Sequence, residues 1–176
     1  MTNPSHNDLI LDQFTRQATP FSTAATINDA AALRLIVETS GAGKDDTVLD
    51  VACGGGVVAC GFAPHVKHVT GIDMTPAMLE RGAKHAAELG LTNLSWQQGD
   101  VTRLPFADGA FSIVFTRFSF HHFLEPRKRL FKITLLRRFH RHNRFIRRWT
   151  HSASFRATCK RCKCLTTVAA NRILSR

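Results

Sequence analysis

Apolar positions in the first 125 residues switch repeatedly between a helical and a strand-like period. Residues 28–41, "NDAAALRLIVETSG", put Leu33, Ile36 and Val37 on one face, with Asn28 placed to cap the start and Gly41 to end it. Residues 47–53, "TVLDVAC", form a short continuous apolar run, the type of strand buried on both faces of a parallel sheet. A glycine loop follows, then a helix carried by Val57, Val58 and Phe62. "HVTGIDM" predicts a second strand and "TPAMLERGAKHAAELG" a well-bounded helix, with Thr75 as cap, Pro76 at the first helical position and Gly90 past the end. "LSWQQGD" predicts a third strand. A turn at Asp108-Gly109 leads to a fourth strand over 111–116. Alternation at this spacing predicts an α/β fold, a parallel sheet with right-handed crossovers.

The loop in "TVLDVACGGGVVA" carries the chemistry. Asp50 sits four residues before Gly54, where it would repel a pyrophosphate by a few kcal/mol, taking roughly 4 Å and an effective dielectric near 20. The loop also lacks the Lys-Ser/Thr pair of a P-loop, and Gly54, Gly56 and Gly61 miss the dinucleotide spacing. A nucleoside bearing a cation fits better. Asp73 closes the second strand 19 residues after Gly54, near the roughly 20-residue offset at which an acid accepts ribose hydroxyls. Asp100 follows the third strand, where a carboxylate can accept from an adenine amino group, and Met74 and Val101 offer an apolar slot for the ring. One acid for a cation, one for ribose and one for adenine together describe S-adenosylmethionine.

The segments "VLDVACGGG", "GIDMTPAMLERG" and "QGDVTRLPFADGAFSIVFTRFSFHHF", in this order and spacing, resemble class I S-adenosylmethionine-dependent methyltransferases. More narrowly they are similar to the type 11 group, which includes ubiquinone- and menaquinone-biosynthesis-like enzymes. The resemblance runs from about Phe14 to Pro126 and implies a three-layer, Rossmann-like sheet of which strands one to four are present and later strands missing or replaced. It implies that Gly54 and Gly56 let the cofactor approach the backbone, with Ala52 where many members have Gly. It further implies that Asp73 holds the ribose, that Asp100 and Val101 face the adenine, and that the backbone near Arg117 meets the methionine end. His121 and His122 fall beside the substrate pocket in this family, where packing is the expected role; no catalytic residue is assigned. The implied reaction is in-line methyl transfer to a small-molecule carbon, oxygen or nitrogen. "TRFSFH" replaces the Asn/Asp-Pro-Pro-aromatic tetrapeptide of members that methylate nucleic-acid amino groups.

Composition then divides the chain. The net charge of +11 hides 8 Lys/Arg against 13 Asp/Glu in residues 1–125, and 16 Lys/Arg with no acid in residues 126–176. Every one of the 11 glycines also precedes residue 110. The expected organisation is an N-terminal segment over 1–27, an incomplete methyltransferase domain over 28–125, and a basic tail over 126–176 that is aberrant or disordered, as a change of reading frame near codon 126 would leave it. The competing reading makes the tail a nucleic-acid arm with Phe139, Phe145, Trp149 and Phe155 stacking on bases; otherwise it binds polyanions without preference. Cys159, Cys162 and Cys164 lack the second ligand pair of a zinc site, so no metal is expected. Five cysteines at irregular spacing, no secretory leader pattern and no apolar run of 18 residues suggest a cytoplasmic protein without a membrane span.

Overall fold

A computed structural model describes residues 3–125. The tail and its aromatic and cysteine residues lie outside the described residues. The elements are α1 (His6–Thr23), α2 (Ala30–Ser40), β1 (Thr47–Val51), α3 (Val57–Phe62), β2 (His68–Asp73), α4 (Pro76–Glu88), β3 (Leu94–Gln98) and β4 (Ile113–Phe115), with 3-10 turns at Ala63–His65, Val101–Arg103 and Phe120–His122. The four strands form one parallel sheet in the order β3-β2-β1-β4. The fold is thus the three-layer α/β arrangement of a Rossmann-like methyltransferase.

Strand alternation sorts the core onto two faces. Val48, Val69 and Phe115 join Ile36 of α2 and Val58, Ala59 and Phe62 of α3 on one face. Leu49, Val51 and Ile72 pack on the other against Leu104 and Phe111 from the connection before β4. Phe111 lies outside β4, which is shorter than the predicted 111–116; it makes only an isolated bridge, and its ring packs in the core, meeting Phe106 edge-on at 5.0 Å.

One predicted cap shifts and another keeps its place without a side-chain bond. Asp29, not Asn28, starts α2, accepting from the N–H groups of Ala31 and Ala32 at 3.0 and 3.1 Å. The Asn28 amide is engaged earlier, donating to the carbonyls of Ser22 and Ala24 and so turning the chain out of α1. Thr75 occupies the cap position of α4, but its side chain makes no capping bond. Its own N–H donates to Asp73 Oδ1 at 2.9 Å, so the carboxylate two residues upstream organises the helix start. Gly41 and Gly90 sit past the ends of α2 and α4 with φ of +67° and +65°, the left-handed geometry that favours glycine.

Trp96 of β3 fits a slot made by glycines. A Cβ at Gly71 of β2 would stand 2.7 Å from its ring, a Cβ at Gly82 of α4 2.9 Å, and one at Gly56 would overlap it outright. Gly71→Ala should therefore destabilise the protein by about 1–3 kcal/mol through overpacking, and Trp96→Leu in the same chain should recover part of that loss. Denaturant melts of the single and double variants check this; additive losses would show that the slot is not tight.

β1 runs through the centre of the sheet, and Asp50 within it is only 2 % exposed. Burial, reinforced by the charge of Asp73, pushes its carboxyl up to about 8, against the ordinary 3.8; an Ala59 backbone hydrogen bond and the Arg117 charge oppose the shift. An acid whose value is raised on folding stabilises the fold while protonated. That contribution is complete below about pH 4 and is lost as pH rises through about 8. Asp50→Asn removes the titration at nearly constant shape. The variant should melt above the wild type at pH 9, by about 1 kcal/mol or more, with the gap closing towards pH 4. Parallel melting-temperature curves for the two proteins across this range would refute the assignment.

Candidate functional site

The order β3-β2-β1-β4 reverses between β1 and β4, and in such sheets the crevice beyond the strands' carboxyl ends is the ligand site. A pocket opens there. Its floor is the glycine loop and the ends of β2 and β3, one wall is the turn after β4, and α1 roofs it. Asp73, last residue of β2, accepts from the N–H of Gly54 at 2.8 Å through Oδ2 and from Thr75 through Oδ1. Burial raises its pKa while these backbone donors lower it. Asp100, just past β3, accepts from the N–H of Thr102 at 2.7 Å and caps the following 3-10 turn.

Seven of the nine residues named from the sequence line this pocket: Ala52, Gly54, Asp73, Met74, Asp100, Val101 and Arg117. Asp50 and Gly56 do not. Asp50 lies one residue before the end of β1 and is buried without lining the pocket; its Oδ2 has no hydrogen-bond partner among the described residues. Gly56 starts α3 with φ +72°, and the close approach it permits is to Trp96, not to a ligand. The Arg117 guanidinium donates to the carbonyls of Ile27 and Thr26 at 3.0 and 3.1 Å, tying the α1–α2 connection to the end of β4. Among the described residues, Ala52 and Phe118 are the non-glycine residues with positive φ, at +55° and +57°, and both line the pocket.

The family resemblance implies an N-terminal helix beside the substrate pocket, but no residue before Asp50 is assigned to the site from the sequence. Yet α1 packs on α4 and brings His6, Asn7, Ile10, Phe14, Phe21 and Ser22 to the pocket. Asn7 Nδ2 donates to Asp100 Oδ2 at 2.8 Å, and His6 Nε2 meets the carbonyl of His122 at 2.8 Å. The available signal was the capping box of Ser5 and Asp8, which precedes apolar residues at helical spacing. His122 also reaches the pocket, edge-on to Phe14 at 5.1 Å, and its pKa is lowered first by burial, then by His121 and His6. The ring contact is the packing role expected of it. Cys53 lines the pocket too, but burial holds its thiol well above the ordinary value, so it is no ready nucleophile. No group of three potential metal ligands occurs, and no helix is long and apolar enough to cross a membrane, among the described residues.

The methyltransferase domain family matches residues 48–142, more than half of the chain and past residue 126, where the sequence reading ended the resemblance. An uncharacterized methyltransferase of Bacillus subtilis, YcgJ, is 33 % identical over 115 residues, covering 65 % of this chain and 46 % of that protein. Its crystal structure superposes with a TM-score of 0.59 over 61 % of this chain and 46 % of that one. A demethylmenaquinone methyltransferase of Porphyromonas gingivalis is 40 % identical over 81 residues, covering 44 % of this chain and 33 % of that protein. The chain spans less than half the length of these relatives. With the glycine loop, the strand order and the strand-end acids all inside the matched or superposed part, the chain belongs to the methyltransferase domain family.

Proposed function

We propose that this chain binds S-adenosylmethionine beneath α1 and supports methyl transfer to a small-molecule acceptor by in-line displacement. The observation that carries the reading is Asp73. Its carboxylate is pinned by two backbone N–H groups at the end of β2, yet it still lines the pocket. A carboxylate has about four acceptor positions, so two remain for a pair of ribose hydroxyls. Asp100 and Val101 suit the adenine edge and face, and Met74 the other side of the ring. Gly54 and Ala52 bring backbone close to the methionine end, where Arg117 fixes the neighbouring wall. A cation bound nearby would favour the ionised form of Asp50, so its orphaned Oδ2 fits a site whose ligand brings a positive charge.

The cofactor supplies an activated methyl group on a sulfonium. The chain's residues supply alignment and exclusion of water: α1 covers the pocket, and Phe14, Phe21 and Phe118 give it apolar walls. The relative named demethylmenaquinone methyltransferase supports a small-molecule acceptor. We take the domain to include α1, because it roofs the site. The second reading, a nucleic-acid arm over residues 126–176, rests wholly on residues outside those described and gains nothing from the relatives.

Calorimetric titration with S-adenosylhomocysteine tests the proposal. Asp73→Ala should weaken binding by about 2–4 kcal/mol, the cost of leaving buried hydroxyls without an acceptor. Equal affinity in the two proteins would remove Asp73 from the ribose site, and no binding by the wild type would sink the cofactor assignment.

A further inference from the structure

We propose that His6, from the first turn of α1, is the residue on which the methyl acceptor docks, and that this acceptor is an uncharged aromatic alcohol; this rests on the cofactor reading above. His6 lines the pocket, and its Nε2 lies 2.8 Å from the backbone carbonyl of His122. A carbonyl can only accept, so Nε2 carries the proton of the neutral ring and Nδ1 carries the lone pair. Nδ1 has no hydrogen-bond partner among the described residues. The bond to the carbonyl joins residues 116 apart in sequence, and it fixes the ring's place as well as its tautomer. His122 lines the pocket too, but its ring is taken up by packing. It stands edge-on to Phe14 at 5.1 Å, with its centroid 3.9 Å from that of His121.

The place of His6 in the fold puts it on the acceptor side. Its neighbour Asn7 turns to Asp100 past β3, the acid read as facing adenine, whereas His6 turns to the segment after β4. That strand borders β1, whose loop meets the methionine end. Ile10, Phe14, Phe118 and Phe123 line the same pocket. Of the carboxylates and guanidinium in the described lining, Asp73 and Asp100 serve the cofactor on the reading above. Arg117 already donates to Ile27 and Thr26 and stands 4.4 Å over the Phe118 ring. A charged acceptor would lose its hydration here without a fixed counter-charge, a cost that a neutral ring avoids. The aromatic walls offer edge and face contacts to such a ring. Its hydroxyl donates to the Nδ1 lone pair, and that contact sets its direction in the pocket.

The test titrates the full chain, saturated with S-adenosylhomocysteine, with 1-naphthol and with 1-fluoronaphthalene, which is close in size but has no proton to donate. Ligand-observed NMR reads the affinities. The wild type should bind the naphthol about tenfold tighter than the fluoro compound, the scale of one buried hydrogen bond. His6→Phe should hold the fluoro compound within about twofold of the wild type and lose the preference. His6→Gln, whose amide can donate to the His122 carbonyl and still accept, should keep it. His122→Phe retains the backbone carbonyl and a ring against Phe14, and should keep it as well. In the wild type, the nitrogen NMR resonance of His6 Nδ1 should move with the naphthol and not with the fluoro compound, a readout that holds even should the variants not fold. Equal wild-type affinity for the two compounds, binding of neither, or an unmoved Nδ1 resonance would overturn the inference. So would a preference that survives in His6→Phe or is lost in His122→Phe. In each of these cases the cofactor reading stands as long as S-adenosylhomocysteine binds. A wild type that does not bind S-adenosylhomocysteine would overturn the cofactor reading and this inference with it.

Discussion

The carboxylate of Asp73 joins three parts of the site at one point. It ends β2, accepts from Gly54 in the loop after β1, and accepts from Thr75 at the start of α4. Each bond is charge-assisted and in a buried setting, where such contacts are worth about 1.5–3 kcal/mol. The loop, the strand end and the helix start therefore cannot move independently. Burial raises the pKa of this group, and the backbone donors that oppose the shift are the same bonds that shape the loop. Loop geometry and carboxylate ionisation are coupled: an Asp73 forced neutral would weaken its hold on both neighbours.

Around this point the glycines divide by what they meet. Gly54, with φ +52°, exposes its N–H to Asp73 and leaves ordinary contact distances to Phe21 and Met78. Gly55 is confined by the Ser22 side chain of α1. Gly56, Gly71 and Gly82 exist for Trp96. A run of three glycines thus serves a ligand-side loop, a roof and a core in succession. The indole thus packs against the start of α3, β2 and α4, outside the pocket lining.

This division explains what could be read from the sequence and what could not. The four strands, their parallel order and the strand-end acids follow from short apolar runs and the spacing between Gly54, Asp73 and Asp100, all local patterns. The cap at Asp29 was missed by one residue because its neighbour Asn28 satisfies the same local rule, and Thr75 holds the cap position of α4 while Asp73 supplies the acceptor there. Competition for partners decided between them, and that lies outside the pattern. The extent of α1 and the residues it brings to the pocket were not legible, because most of the helix is polar and it contains Pro20, so its propensity is weak; burial against α4 and the pocket holds it in place. The roles of Gly56 and Asp50 were beyond reach for a related reason. A glycine's neighbour and a carboxylate's depth are three-dimensional facts.

Several local costs gather at the same place. Asp50 is a buried acid with an unpartnered oxygen in the most protected strand. Ala52 and Phe118 hold left-handed backbone at the ends of β1 and β4, at roughly 1–3 kcal/mol each. A fold selected for stability alone would place an apolar residue at 50 and a glycine at 52. Binding sites depart from that rule, because the groups they need must be in place before the ligand arrives. The offset comes from the two apolar clusters on the faces of β1, where Val48, Leu49 and Val51 are fully buried. The central strand is thus both the best-packed element and the one carrying an acid whose ionised form packing disfavours. A ligand cation above Asp50 would relieve that conflict, lowering the carboxyl's pKa and releasing a proton as it binds.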